Sequence, residues 1–139
     1  MPDTTPREPA TPESYLGAER LDRFASPGGV IPNVKTIYRF PSSLPQNDLA
    51  YGGEWTVRPQ KIVAGRAARL RLHFHARHVY LVLGGSGDLG VLVNGKPVKS
   101  VRVRGFSRLY TLLSYPQVRD AVLELRFTPG LEGYAFTFG

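Results

Sequence analysis

From Trp55 to its end, the chain returns apolar side chains at every second position. Leu70, Leu72, Phe74 and Ala76 alternate with Arg69, Arg71, His73 and His75; Val79, Leu81 and Leu83 alternate with His78, Tyr80 and Val82. Successive side chains leave a strand on opposite sides, so a period of two means an extended segment with one buried face. A helix needs apolar positions every three or four residues and cannot bury this pattern. The alternation recurs at Trp55 and Val57, Leu89 to Val93, Arg108 to Leu113, Ala121 to Phe127 and Tyr134 to Phe138. Val34 to Phe40 reads as an earlier strand stopped by Pro41, and residues 41–50 read as loop. Asn94-Gly95 tolerates positive φ at both turn positions and predicts a tight type I′ hairpin. Roughly seven to nine short strands with regular turn signals predict an all-β fold, an antiparallel β-sandwich of the jelly-roll kind.

The first residues follow other rules. Pro2, Pro6, Pro9 and Pro12 among polar neighbours make residues 1–12 an extended, Pro-rich linker. Residues 13–30 read as a short hinge, with one or two helical turns across Ser14–Phe24 ended by Pro27-Gly28-Gly29. The sandwich domain then occupies residues 31–139. No apolar run approaches the roughly 18 residues of a membrane-spanning helix. Met1-Pro2-Asp3-Thr4-Thr5-Pro6 shows no basic region followed by an apolar one, so no signal peptide is expected.

With no cysteine in the sequence, disulfides, CxxC redox motifs and cysteine zinc sites are excluded. The net charge of +7 is uneven: Asp3, Glu8, Glu13, Glu19 and Asp22 offset Arg7, Arg20 and Arg23, leaving the excess on the strands. Such a field either solvates a sheet face or favours acidic partners such as anionic glycan or lipid headgroups. Nucleic acid is not expected as a partner, because aromatics are not interleaved with the basic residues. No GxSxG elbow and no acid pair at a telling spacing is present, so no catalytic residue is assigned. Gly84 to Gly90 lacks the GK[ST] ending of a phosphate loop and reads as a hairpin turn. His73 and His75 share a strand face, but no acid follows until Asp88, and Arg69, Arg71 and Arg77 would repel a cation. No metal and no cofactor are expected. The remaining candidate is a ligand face of Arg71, His73, His75, Tyr80 and Arg126, with Glu124 beside them. Trp55 alternates in phase with Val57 and reads as core, as do Tyr134, Phe136 and Phe138 by the same logic, leaving Tyr80, Tyr110 and Tyr115 as possible stacking platforms.

Several stretches occur in an order that resembles a known family. They are Thr11-Pro12-Glu13-Ser14-Tyr15-Leu16-Gly17, Gly53-Glu54-Trp55-Thr56-Val57, Phe74 to Gly84, Asn94-Gly95-Lys96-Pro97, and Pro129 to Gly139. This succession is similar to the carbohydrate-binding-module-like C-terminal domain of DipZ-type, thioredoxin-like bacterial envelope proteins. The resemblance implies a non-catalytic accessory module that binds carbohydrate or envelope polymer. Alternatively it implies a structural module that positions a thioredoxin-like domain, in cis or in trans, in thiol-disulfide chemistry or cytochrome c biogenesis. It also implies an extracytoplasmic location at the cell envelope, or a cytoplasmic one if the chain is free-standing without a leader. The short, basic stretch Val98 to Ser107 departs from the longer, acidic, glycine-rich loop usual in the family.

Overall fold

A computed structural model describes residues 10–139, so most of the expected Pro-rich linker lies outside the described residues. The described chain is all strand and turn: β1 (Ser14–Tyr15), β2 (Thr36–Tyr38), β3 (Leu49–Val57), β4 (Ile62–Ala64), β5 (Arg69–Gly84), β6 (Gly87–Val93), β7 (Lys96–Val103), β8 (Arg108–Phe127) and β9 (Glu132–Phe138). Every ladder between these strands is antiparallel. The hydrogen-bonded order runs β1-β9-β4-β3-β5-β8-β6-β7, with β2 added to β3.

Two long strands make this path a sandwich. The first half of β5 lies between β3 and the end of β8, while its second half lies between β9 and the start of β8. The change occurs at Arg77: Ala76 pairs with Arg119 and His78 with Ser114, so residues 115–118 of β8 bulge opposite a single residue. A bulge bends a strand and shifts its alternation by one. The core positions of β5 accordingly pass from Leu70, Leu72, Phe74 and Ala76 to Val79, Leu81 and Leu83, all fully buried. The alternation in the sequence already contained that shift of phase.

Large aromatics fill the interior with their polar ends satisfied. The Trp55 indole donates to the carbonyls of Gly52 and Arg69 at 3.0 and 3.1 Å, and the Tyr51 hydroxyl donates to the Leu16 carbonyl at 2.8 Å. Phe24 and Phe127 extend the stack at centroid distances of 4.8 Å from Tyr51 and Trp55 respectively. Asn94 and Gly95 have φ of 49° and 81° and join β6 to β7 in the expected hairpin.

Four sequence readings are corrected. Ser14–Phe24 forms no helix: Ser14 and Tyr15 pair with β9, Leu16 is fully buried, and a single turn at Ala18–Arg20 is closed by the Arg20 amide on the Gly17 carbonyl at 3.4 Å. The Leu16 amide donates to the Tyr134 carbonyl at 2.9 Å, so tertiary bonds override local propensity. Residues 41–50 are not all loop, because β3 starts at Leu49, opposite Leu72. Arg108–Leu113 and Ala121–Phe127 are the two ends of one strand, β8. Gly84 to Gly90 is not a hairpin turn; β5 and β6 both pair with β8, so the segment crosses over it. Thr11, at the end of the expected linker, is buried, and its amide donates to the His75 carbonyl at 2.9 Å.

Candidate functional site

The β5–β8 register sets Arg69 opposite Arg126, Arg71 opposite Glu124 and His75 opposite Asp120 on one outward face. Glu124 is 6% exposed, yet its two oxygens accept from Arg71 Nε at 2.8 Å and Arg126 Nε at 3.0 Å. Burial pushes its carboxyl up, but the two guanidinium bonds outweigh that and hold it below the ordinary range. The Arg71 guanidinium also lies 4.1 Å from the Phe40 ring centre.

One step along, His73 and His75 meet the same acid. His73 Nε2 donates to Asp120 Oδ1 at 2.6 Å and His73 Nδ1 to the Leu44 carbonyl at 2.7 Å. Both ring nitrogens face oxygen acceptors, an arrangement that favours the doubly protonated, charged ring. Burial lowers its pKa, but the bonds to Asp120 and Leu44 win and raise it overall. Asp120 is lowered, first by the His73 bond, and it also accepts from Gln46 and lies 3.3 Å from His75 Nδ1.

Four of the five expected ligand residues, Arg71, His73, His75 and Arg126, therefore share a face, drawn together by Glu124 and Asp120. Tyr80 does not join them. It lies beyond the bulge, opposite Thr111 and Thr137, with its ring stacked 6.0 Å from His78. Tyr110 and Tyr115 each carry an arginine over the ring, Arg108 at 5.1 Å and Arg119 at 4.9 Å. Asp120 was not readable as a partner, since it stands 45 residues from His75 and only the register joins them.

A second site lies where β1 crosses β9. Leu83 pairs with Gly133 and Val82 with Ala135, so Tyr134 is the extra residue of a bulge. The expectation that Tyr134 is core fails for that reason: Gly133 and Phe136 point inward, and Tyr134 turns to the surface. It lines a cleft of about 370 Å³ with Tyr15, Gly17, Glu19, Arg20, Pro59, Gln60 and Ala135. A neighbouring depression shares Pro59, Gln60 and Tyr134 and adds Arg58 and Lys61. The Arg20 guanidinium caps one face of Tyr15 at 3.8 Å, and the Tyr15 hydroxyl donates to Glu13, which raises the phenol's pKa. Gly17 lines the cleft against Pro59; a Cβ there would lie 2.4 Å from the Pro59 carbonyl oxygen. The sequence signal was the stretch Thr11 to Gly17, which reads as a hinge until Pro59 and Gln60 are brought against it.

Residues 11–139 match the family described as thioredoxin like C-terminal domain. The chain belongs to that family. It is 32% identical over 139 residues to Protein DipZ of Mycobacterium bovis and of Mycobacterium tuberculosis, covering 99% of this chain and 20% of each relative. The chain thus spans about a fifth of the length of those proteins. A solved family two carbohydrate esterase from Clostridium thermocellum, in complex with cellohexaose, superposes with a TM-score of 0.57 at 21% identity. The match covers 66% of this chain and 31% of the esterase chain, and it shows a shared all-β sandwich fold.

Proposed function

We propose that this domain is a non-catalytic accessory module of a thioredoxin-like envelope protein and binds carbohydrate or envelope polymer in the Tyr15–Tyr134 cleft. The observation that carries the reading is the pair of tyrosines beside Glu19, Arg20 and Gln60 in one open concavity. Pyranose rings present an apolar C–H face that stacks on an aromatic ring, while their hydroxyls need donors and acceptors around it. The cleft supplies both. Arg71, His73, His75 and Arg126 offer charge, but they already bond to Glu124 and Asp120. Lys61 is already paired with Glu132, so Arg20 and Arg58 are the cations around the cleft that favour an anionic glycan over a neutral one. Few contacts open to water give weak affinity, about millimolar to micromolar.

Titrating acidic and neutral oligosaccharides while recording amide resonances tests this. Expected are shifts at Tyr15, Gln60 and Tyr134, larger with the acidic sugar. Shifts centred on Arg71, His73, His75 and Arg126 instead would move the site to the β5–β8 face. No shift with any glycan would end the carbohydrate reading.

A second reading rests on a different surface. Ile31, Val34 and Ile37 are 49, 55 and 76% exposed in and just before β2, a strand with a single partner. Such apolar side chains suit packing against a thioredoxin-like domain. Shifts confined to residues 31–37 on adding that domain, with none from glycans, would favour a purely structural module.

A further inference from the structure

Residues 96–108 carry Lys96, Lys99, Arg102, Arg104 and Arg108 and no acid. They form β7, the last strand of the sheet, and the loop that leads into β8. Lysines and a proline on an edge strand are a common guard against strand pairing and by themselves imply no ligand. Phe106 is not explained that way. It is 96% exposed at the loop tip, and Leu109, three residues on, is 54% exposed.

The loop holds this ring out on an ordered base. The Gly85 amide donates to the Gly105 carbonyl at 3.1 Å, and the Tyr110 hydroxyl oxygen accepts from the Arg104 amide at 3.2 Å and Arg108 Nε at 3.0 Å. Gly105 takes φ of 78°, and a Cβ there would meet nothing within 4 Å. Farther along β7, Lys99 Nζ donates to the Thr111 carbonyl at 3.5 Å. Arg102 is ion-paired, with the exposed Asp88 at 2.7 Å.

We propose that the β7–β8 loop docks on an anionic phospholipid bilayer, with Phe106 entering the boundary between headgroups and acyl chains and Arg104 and Arg108 binding lipid phosphates. An aromatic tip flanked by cations is the arrangement that combines apolar insertion with attraction to a negative leaflet. Lys96 and Lys99 add attraction at longer range. The ordered loop base keeps the loss of conformational freedom on docking small. The surface is distinct from the tyrosine cleft, and vesicles free of sugar test it independently of the carbohydrate reading.

The whole chain is mixed with vesicles of phosphatidylcholine alone or of phosphatidylcholine and phosphatidylglycerol in equal parts, then sedimented. Binding to the mixed vesicles should be at least about tenfold tighter and should weaken with salt. Phe106→Ala should reduce it about tenfold, and Arg104→Gln or Arg108→Gln about fivefold each, with the circular dichroism unchanged because all three side chains are exposed. Phe106→Trp should shift the introduced indole's emission to the blue on mixed vesicles only; Trp55, the one native indole, is fully buried and stays constant. Equal binding to both vesicles, or mixed-vesicle binding unchanged by Phe106→Ala, would overturn the proposal. So would tighter binding to a single-stranded oligonucleotide than to vesicles, with the introduced indole unshifted, which would assign the stripe to nucleic acid.

Discussion

The β5–β8 face and the β1–β9 cleft are both polar regions on one sandwich, and they differ in what their side chains face. On the first, two arginines share Glu124 and two histidines share Asp120. In the second, Tyr134 and Gln60 line open space, and only Tyr15 and its neighbours are tied to one another. Charge density alone would rank the first as the ligand site. Readiness for a ligand depends instead on the hydrogen-bonding capacity left after internal pairing, and on concavity, since an exposed pair must first be broken.

The largest expected effects lie beneath these surfaces. Phe74 is fully buried on β5, between His73 and His75 in sequence, and Phe74→Ala should destabilise the fold by about 3–5 kcal/mol. Chemical denaturation measures this; a loss below about 1 kcal/mol would mean that the support under the charged face is not a packed core. Gly17→Ala acts on the other region. The added methyl meets backbone at 2.4 Å, so the segment after β1 must lift from Pro59, with an expected loss of about 2–3 kcal/mol. That variant should also lose any glycan shift at Tyr15; an unchanged cleft and stability would remove the stated reason for glycine there.

Glu124→Gln asks how far internal pairing suppresses the β5–β8 face. The amide cannot hold both guanidinium groups, and the expected loss is about 1–2 kcal/mol, kept low because Arg71 and Arg126 still reach water. If pairing is what silences this face, the variant should gain affinity for an acidic oligosaccharide near Arg71 and Arg126. No gain would mean that shape, not pairing, limits it.

Asp120→Asn sharpens the same point through pH. His73 is raised above 6.5 in the fold, so its contribution is complete below that value and fades as pH climbs through the folded pKa. Asp120 is lowered below 3.8, so its contribution is present above that value and fades as pH falls through the folded pKa. Together they stabilise most between about pH 4 and 6.5, by about 0.5–1 kcal/mol after solvent screening. The wild-type chain should lose denaturation midpoint from pH 6 to 8 relative to Asp120→Asn. Parallel profiles would show that the pair adds no pH-dependent stability.

The alternation in the sequence carried the core and even the change of phase in β5 opposite the β8 bulge, because one-sided burial writes itself locally, residue by residue. The outward face was legible as a set, in Arg71, His73, His75 and Arg126, but not as a circuit. Glu124 was seen beside them, whereas Asp120 enters only through the register with β5. Tyr134 was misread for a related reason. Alternation assigns it the phase of Phe136, and the extra residue that breaks the phase is visible only against Val82 and Leu83. Leu16 and Gly17 illustrate the third limit, where close contact with a distant turn replaces a helix that local propensity allows.

Tyr134→Ala has the smallest expected effect on stability and decides most about the comparison. The side chain lies on a bulge, partly exposed, and makes no contact that a buried neighbour depends on for a hydrogen bond. Its backbone carbonyl accepts from the Leu16 amide, and that bond survives truncation of the ring. Stability should therefore change by no more than about 0.5–1 kcal/mol, as for most surface changes. A ring that stacks on a sugar cannot be replaced by a methyl, so glycan affinity should fall about tenfold or more, the equivalent of at least about 1.4 kcal/mol of binding. Tyr134→Phe separates the two parts of the tyrosine: stacking is kept and the hydroxyl is lost, so affinity should fall only a few-fold. If Tyr134→Ala binds an acidic oligosaccharide as the wild type does, the open cleft is not where the sugar sits. The paired face would then have to release its own partners to bind one.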